Sequence, residues 1–172
     1  MPALPVLLWY LWLVSRREER RKPMVEIAGS GVLGLAAPAV YWAGIGEVNW
    51  SGWLLWLLLW LQAIGSIVYA YLRLSQREWQ SIPPLRVRLS AARLPLAVCG
   101  GSIAGVALLA LSGWFSPLVT AAYLIQFAET VWGTFKPAVG VKPTAIGVRQ
   151  LMISTLFMFI FAFLWVSVPL VT

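Results

Sequence analysis

Apolar residues in this chain gather in long runs that are separated by short polar stretches. The runs cover residues 27–46, 52–72, 94–111, 117–135 and 151–171. At a rise of 1.5 Å per residue, each is long enough as a helix to cross a hydrocarbon layer of ~30 Å. The pattern predicts an all-α, polytopic transmembrane bundle with five full spans, forming a single integral membrane domain over residues 1–172.

An additional apolar segment at the start of the chain is too short for a full span. It covers residues 3–14, about half of the ~20 residues that a crossing requires. An arginine-rich run follows it, whereas a secretory signal carries its positive charge before the apolar stretch. We therefore predict a short N-terminal half-span that enters the cytoplasm.

The basic residues predict which loops face the cytoplasm. All 13 Lys and Arg residues fall in three stretches, and the turns 46–51 and 112–116 contain none. By the positive-inside rule, the basic stretches are cytoplasmic and the two turns and the C-terminus lie outside. The expected setting is a bacterial inner membrane or a thylakoid-type membrane. The second and third stretches are expected to contact anionic headgroups or a cytosolic partner, through Arg73, Arg77, Arg86, Arg88, Arg93, Lys136, Lys142 and Arg149.

The amino-acid composition limits the kinds of reaction and ligand that the chain can support. The chain is 60% hydrophobic and 11% charged, as expected of a membrane protein, and the positive-inside rule accounts for its net charge of +7 without nucleic acid. With no His and no Asp, it has no Ser-His or Cys-His pair and no common zinc site. We predict no catalytic residue, no metal and no cofactor, although bound lipid or another hydrophobic molecule is compatible with the composition.

The span over residues 117–135 carries a polar stripe. Gln126 and Glu129 share one helical face, and Glu129 lies about 10 Å below the predicted boundary. An intramembrane carboxylate marks either an ion or ligand site or a satisfied bond between helices. Gln62 and Tyr69 share a face of the second full span. Either of them, or a basic loop residue, is a candidate partner for Glu129, and Gln62 and Tyr69 are also candidates for further parts of a polar lining.

Two other patterns concern helix packing. Trp53, Trp56 and Trp60 lie within about 60° of one another on the face opposite Gln62, which predicts a surface for lipid or a partner protein. Gly101 and Gly105 have the small-xxx-small spacing that permits close helix approach.

Two stretches of the chain resemble the YwiC-like family of bacterial polytopic membrane proteins. They are residues 60–78, WLQAIGSIVYAYLRLSQRE, and residues 142–151, KPTAIGVRQL. The resemblance implies a helical membrane protein without an established activity, and it supplies no catalytic residues. Members of the family have an additional first span introduced by a Glu-His-Gly motif. This sequence has no histidine, so the segment 3–14 resembles the remnant of a family helix.

These patterns lead to two expectations of function. The first is a non-enzymatic membrane protein that serves as a subunit, assembly factor or scaffold of a larger membrane complex. The alternative is a transporter or binder of a small or lipophilic molecule, with Glu129, Gln126 and Gln62 as its polar lining.

Overall fold

The computed structural model describes residues 23–166, which form helices joined by short loops, without a strand in that range. The helices are α1 (Pro23–Gly34), α2 (Ala36–Ile45), α3 (Trp50–Gln76), α4 (Leu85–Leu111), α5 (Thr120–Phe135) and α6 (Pro143–Val166), with a short 3-10 helix, Pro117–Val119, before α5. The predicted all-helical fold is confirmed. The half-span 3–14 and the end of the last predicted span lie outside the described residues.

Four helical segments within the described range are long and apolar enough to cross a membrane, as expected of an integral membrane protein. They are Pro23–Ile45, Trp50–Gln76, Leu85–Leu111 and Pro143–Trp165. The fourth predicted span, residues 117–135, is not among them. Its regular helix, α5, has only 16 residues.

Several helices extend into stretches that the sequence had assigned to basic loops. Helix α3 ends at Gln76, α4 begins at Leu85 and α6 begins at Pro143, ahead of the predicted Leu151. Pro84 and Pro143 explain the two early starts, because proline suits the beginning of a helix, where its missing N–H costs no hydrogen bond. Consequently Arg149 is a helical residue of α6.

The chain divides into two compact units, Met1–Ile67 and Val68–Thr172, with the boundary inside α3. In the first unit, α1 and α2 are separated by a break at Leu35. The buried ring of Pro38 lies shortly after the break and cannot supply the N–H that would bond to the Gly34 carbonyl. Gly46 ends α2 with φ of 81° and donates its N–H to the Trp42 carbonyl, 2.9 Å away.

Indole rings hold the first unit together. Trp42, Trp53, Trp56 and Trp60 follow one another with successive centroid distances of 5.2, 6.3 and 5.0 Å. The Trp56 indole N–H donates to the Gly31 carbonyl at 2.8 Å, and that of Trp60 donates to the Ile27 carbonyl at 2.9 Å. A Cβ on Gly31 would lie only 2.8 Å from Trp60 Cε2, so glycine makes this approach possible.

These contacts show which part of the predicted tryptophan face packs within the chain. Trp56 and Trp60 bind the backbone of α1 in the same chain, and Trp53 packs between Trp42 and Trp56. Part of the face is therefore covered within the first unit, while all three tryptophans remain partly exposed, so a surface for lipid or a partner protein stays a prediction. The sequence pattern could not distinguish these cases, because a neighbouring helix and lipid both offer an apolar environment.

In the second unit, α4 packs through a face that excludes the predicted glycine pair. The buried residues of α4 are Ala92, Pro95, Cys99, Ser102, Val106 and Ala110. Gly101 and Gly105 lie about 200° and 240° around the helix from Cys99. Among residues 23–166, a Cβ at either glycine would meet no atom of another helix within 4 Å, so the predicted close approach does not occur between the described helices.

Aromatic rings also line the buried face of α6. Phe157 and Phe161 are buried and stacked at 5.4 Å, and Trp165 continues the stack 5.8 Å beyond Phe161. Tyr123 of α5 meets Phe157 edge-on at 5.3 Å. This ladder joins α5 to α6 on one side of the polar residues described next.

Candidate functional site

The polar stripe of α5 faces the interior of the second unit. Gln126, Glu129, Thr130, Gly133 and Thr134 are all buried, as helical spacing of three and four residues permits. The two threonine hydroxyls donate to backbone carbonyls one turn earlier, Thr130 to Gln126 and Thr134 to Thr130, each at 2.8 Å. These bonds satisfy the hydroxyls and leave the longer side chains to meet other helices.

Glu129 receives hydrogen bonds from two helices besides its own. The Tyr69 hydroxyl of α3 donates to Glu129 Oε1 at 2.7 Å. Arg149 of α6 donates Nε to Oε1 at 2.6 Å and Nη2 to Oε2 at 2.8 Å, in a two-pronged ion pair. Both carboxylate oxygens are therefore engaged, and a single acid links α3, α5 and α6.

Trp132 supports the cationic side of this pair. The Arg149 guanidinium lies 3.6 Å from the centroid of the indole, close enough for cation–π attraction. The guanidinium carbon of Arg73 lies 5.3 Å from the same indole. The Arg149 side chain remains 44% exposed, whereas that of Glu129 is 5% exposed, so the pair extends from the interior to the protein surface.

Arg73 and Gln76 close the C-terminal end of α5. Arg73 Nη1 donates to the carbonyls of Gly133 and Lys136, at 3.2 and 2.6 Å, and to Gln76 Oε1 at 3.0 Å. Gln76 Nε2 also donates to the Gly133 carbonyl, and Gln76 Oε1 accepts from the Ala138 N–H. The last carbonyls of a helix lack intrahelical partners and carry partial negative charge, so a buried cation is stabilised there.

Gly133 makes room for this arrangement. A Cβ built on Gly133 would collide with the Tyr69 hydroxyl, the group that donates to Glu129. The Tyr69 ring therefore crosses α5 at the one residue of the stripe that has no side chain. Sequence reasoning missed this role, although the glycine lies one turn after Glu129 in the stripe.

The predicted polar lining is only partly assembled around Glu129. Tyr69 contacts Glu129 directly, and Gln126 is bonded to Gln150, whose Nε2 donates to Gln126 Oε1 at 2.9 Å. Gln62 is buried in the part of α3 that belongs to the first unit. Sequence reasoning did not single out Gln76, Trp132 or Gln150. The polar pair Arg149-Gln150 directly before an apolar run was the available signal for Gln150.

The basic residues separate into two groups. Arg73, Arg88 and Arg149 are bound within the second unit; Arg88 Nη1 donates to the Phe135 carbonyl at 2.8 Å. Arg73 is 5% exposed, which corrects the expectation that it contacts headgroups or a cytosolic partner. The other five form no ion pair with the part of the chain that the structure describes: Arg77, Arg86, Arg93, Lys136 and Lys142.

The centre of the site is an ion pair between a buried acid and a partly exposed arginine. Within residues 23–166 no group of three or more Cys, Asp or Glu side chains has the arrangement of a metal site. Glu129 is bound through both oxygens, so it acts here as a junction between helices. No family model, curated protein or solved structure was found to match this chain.

Proposed function

We propose that this chain is a non-enzymatic integral membrane protein that serves as a subunit, assembly factor or scaffold of a larger membrane complex. The observation that carries the proposal is the internal pairing of Glu129. The Glu129 carboxylate already accepts three hydrogen bonds, two at Oε1 from Tyr69 and Arg149 and one at Oε2 from Arg149, so most of its acceptor positions are used within the chain. In this proposal, the buried polar side chains around Glu129 serve to hold helices together.

The exterior of α6 suits a role in assembly. Phe159 and Phe163 are each 71% exposed, while Phe157 and Phe161, on the opposite face, are buried. Large aromatic side chains are favourable against lipid and against an apolar partner helix alike. A helix with an aromatic outer face is suited to contact another membrane protein.

The proposed topology has five crossings, with the basic loops in the cytoplasm and the C-terminus outside. Helix α5 supplies about 24 Å and the 3-10 helix before it about 6 Å, which together match the ~30 Å hydrocarbon layer. The loops between α2 and α3 and between α4 and α5 contain no Lys or Arg, so the positive-inside rule assigns them to the outside. A bacterial inner or thylakoid-type membrane is the setting we propose.

Photo-crosslinking in native membranes tests the partner. A photoreactive amino acid at exposed Phe159 should yield a discrete adduct with another protein, and the same chain should copurify with that protein at fixed stoichiometry in two mild detergents. The matched control is the same probe at buried Phe157, which should crosslink only within the chain. A homogeneous monomer in both detergents, with lipid as the only adduct at Phe159, would contradict the proposal.

A charge swap tests whether Glu129 is structural. Glu129→Arg and Arg149→Glu should each reduce recovery of the complex, and the double variant should restore part of it because the opposite charges can still pair. A site that requires a carboxylate on α5 for ion or ligand binding would not be restored by the swap. Retained assembly in both single variants would instead remove the structural role.

A further inference from the structure

The five unpaired cations of the second unit are available to a ligand. Arg86, Arg93, Lys136 and Lys142 are exposed and Arg77 is partly exposed. None of the five forms an ion pair with residues 23–166. We call these five residues the open cation set. In contrast to Arg73, Arg88 and Arg149, they have side chains that are left without an ion pair inside the described part of the second unit.

Backbone and side-chain contacts bring the chain segments that carry four of these cations to the same end of the second unit. The bond from Arg88 to the Phe135 carbonyl places the first turns of α4, with Arg86, beside the end of α5, where Lys136 follows. The Gly140 N–H donates to the Arg77 carbonyl at 3.2 Å, which brings the loop before Lys142 to the end of α3. Glu78 is the acidic residue of the described chain that lies in these segments, and it is exposed.

Exposed apolar side chains alternate with the cations along the start of α4. Leu85, Val87 and Leu89 are 42%, 48% and 42% exposed, and Arg86 lies between the first two. A surface of this kind suits the membrane interface, where apolar side chains enter the acyl region and the long basic side chains extend to the headgroups. An acidic protein segment in water would leave these apolar side chains uncovered. The mixture therefore favours lipid over a soluble acidic partner.

We propose that the open cation set binds the phosphate headgroups of anionic phospholipids. The inference goes beyond the role in a membrane complex, because it assigns a ligand class to a surface that needs no partner protein. Arg86 and Lys136 are central to it, since the bond from Arg88 to Phe135 joins their segments. Attraction of this kind weakens about fivefold for each cation removed near an anionic surface and is screened by salt.

Lipid titration of the purified full chain in neutral detergent tests the proposal. Fluorescent phosphatidylglycerol should bind more tightly than phosphatidylcholine with the same acyl chains, and added salt should reduce the difference. The double variant Arg86→Gln/Lys136→Gln should bind phosphatidylglycerol about 25-fold more weakly, with phosphatidylcholine unchanged. Glu78→Gln is the matched control at the same end, and it should bind phosphatidylglycerol at least as tightly as the unmodified chain.

Three results would overturn the proposal. The first is equal binding of the two lipids by the unmodified chain. The second is an unchanged affinity for phosphatidylglycerol in a double variant whose circular dichroism spectrum and thermal transition match those of the unmodified chain. The third is binding of a polyglutamate peptide that phosphatidylglycerol does not displace, which would assign the open cation set to an acidic protein instead. None of these three results would change the outcome expected from crosslinking at Phe159, so the lipid proposal and the proposed function can fail separately.

Discussion

Trp56 and Trp60 in the first unit and Tyr69 in the second unit each donate a hydrogen bond to another helix, but the acceptors differ. The two indoles bond to neutral backbone carbonyls of α1, whereas the tyrosine bonds to the carboxylate of Glu129. Neutral hydrogen bonds between membrane helices contribute on the order of 0.6 kcal/mol each, and bonds to charged groups about 1.5–3 kcal/mol. The first unit should therefore depend mainly on ring packing, and the second on a small number of charged contacts.

The two units use glycine in a similar way despite this difference. Gly31 admits the Trp60 ring and Gly133 admits the Tyr69 hydroxyl, and in both places a Cβ would be too close. Each glycine therefore lies where an aromatic side chain crosses another helix and finds its acceptor. The comparison predicts that loss of charge damages the second unit most, while added volume damages the first.

Removal of the Arg149 charge should have the largest effect. Arg149→Leu preserves much of the side-chain volume but leaves Glu129 buried with Tyr69 as its remaining donor. Breaking a buried ion pair on one side costs about 3–5 kcal/mol, and the partial exposure of Arg149 places the expected loss near the lower figure. The measurement is the free energy of unfolding in mixed micelles of neutral detergent and dodecyl sulfate, followed by circular dichroism.

Arg93→Leu is the control for this prediction, because Arg93 is exposed and belongs to the open cation set. Its effect should stay within about 0.5 kcal/mol. Equal stabilities of Arg149→Leu and the unmodified chain would mean that the ion pair does not hold α5 to α6.

The polar stripe shows how far the sequence could lead. Helical periodicity placed Gln126 and Glu129 on one face, and both are buried in the structure. Tyr69 was among the candidate partners, because an acid within a span requires a donor from another helix. Arg149 was assigned to the basic loop that precedes the last span, because the predicted apolar run begins at Leu151. Only the early start of α6 at Pro143 makes it a helical partner of Glu129.

The packing faces were less predictable, for a physical reason. The pattern shows that Trp53, Trp56 and Trp60 share a face, but not whether lipid or another helix covers it. The small-xxx-small spacing of Gly101 and Gly105 likewise cannot show whether a neighbour is present. Close approach occurs instead at Gly31 and Gly133, where the neighbour is a single ring from a distant part of the sequence.

Added volume at Gly31 should have an intermediate effect. Gly31→Ala would place a methyl group 2.8 Å from Trp60 Cε2, so the indole must move and its bond to the Ile27 carbonyl should weaken. Overpacking of this kind costs about 1–3 kcal/mol. The same unfolding measurement applies, and a shift in tryptophan fluorescence should accompany the loss.

Gly101→Ala is the matched control for Gly31→Ala, because it adds the same methyl group at a position where no atom of another described helix lies within 4 Å. Alanine favours a helix over glycine by up to about 1 kcal/mol, so this variant should be neutral or slightly stabilising. If both alanine variants gained stability, Trp60 would not be tightly packed against Gly31.

Loss of the Tyr69 hydroxyl should have the smallest effect of the three. Tyr69→Phe keeps the ring beside Gly133 but removes one of the donors to Glu129, while the ion pair with Arg149 remains. Hydrogen bonds to charged groups contribute about 1.5–3 kcal/mol, and we expect Tyr69→Phe to lower the free energy of unfolding by the smaller of these values. A double-mutant cycle with Glu129→Gln separates this bond from ring packing: the effect of Tyr69→Phe should shrink when the carboxylate is absent. If Tyr69→Phe had the same effect in the Glu129→Gln background, the contribution of Tyr69 would come from packing of its ring. The difference between carboxylate and carbonyl acceptors would then not explain any difference in stability between the two units.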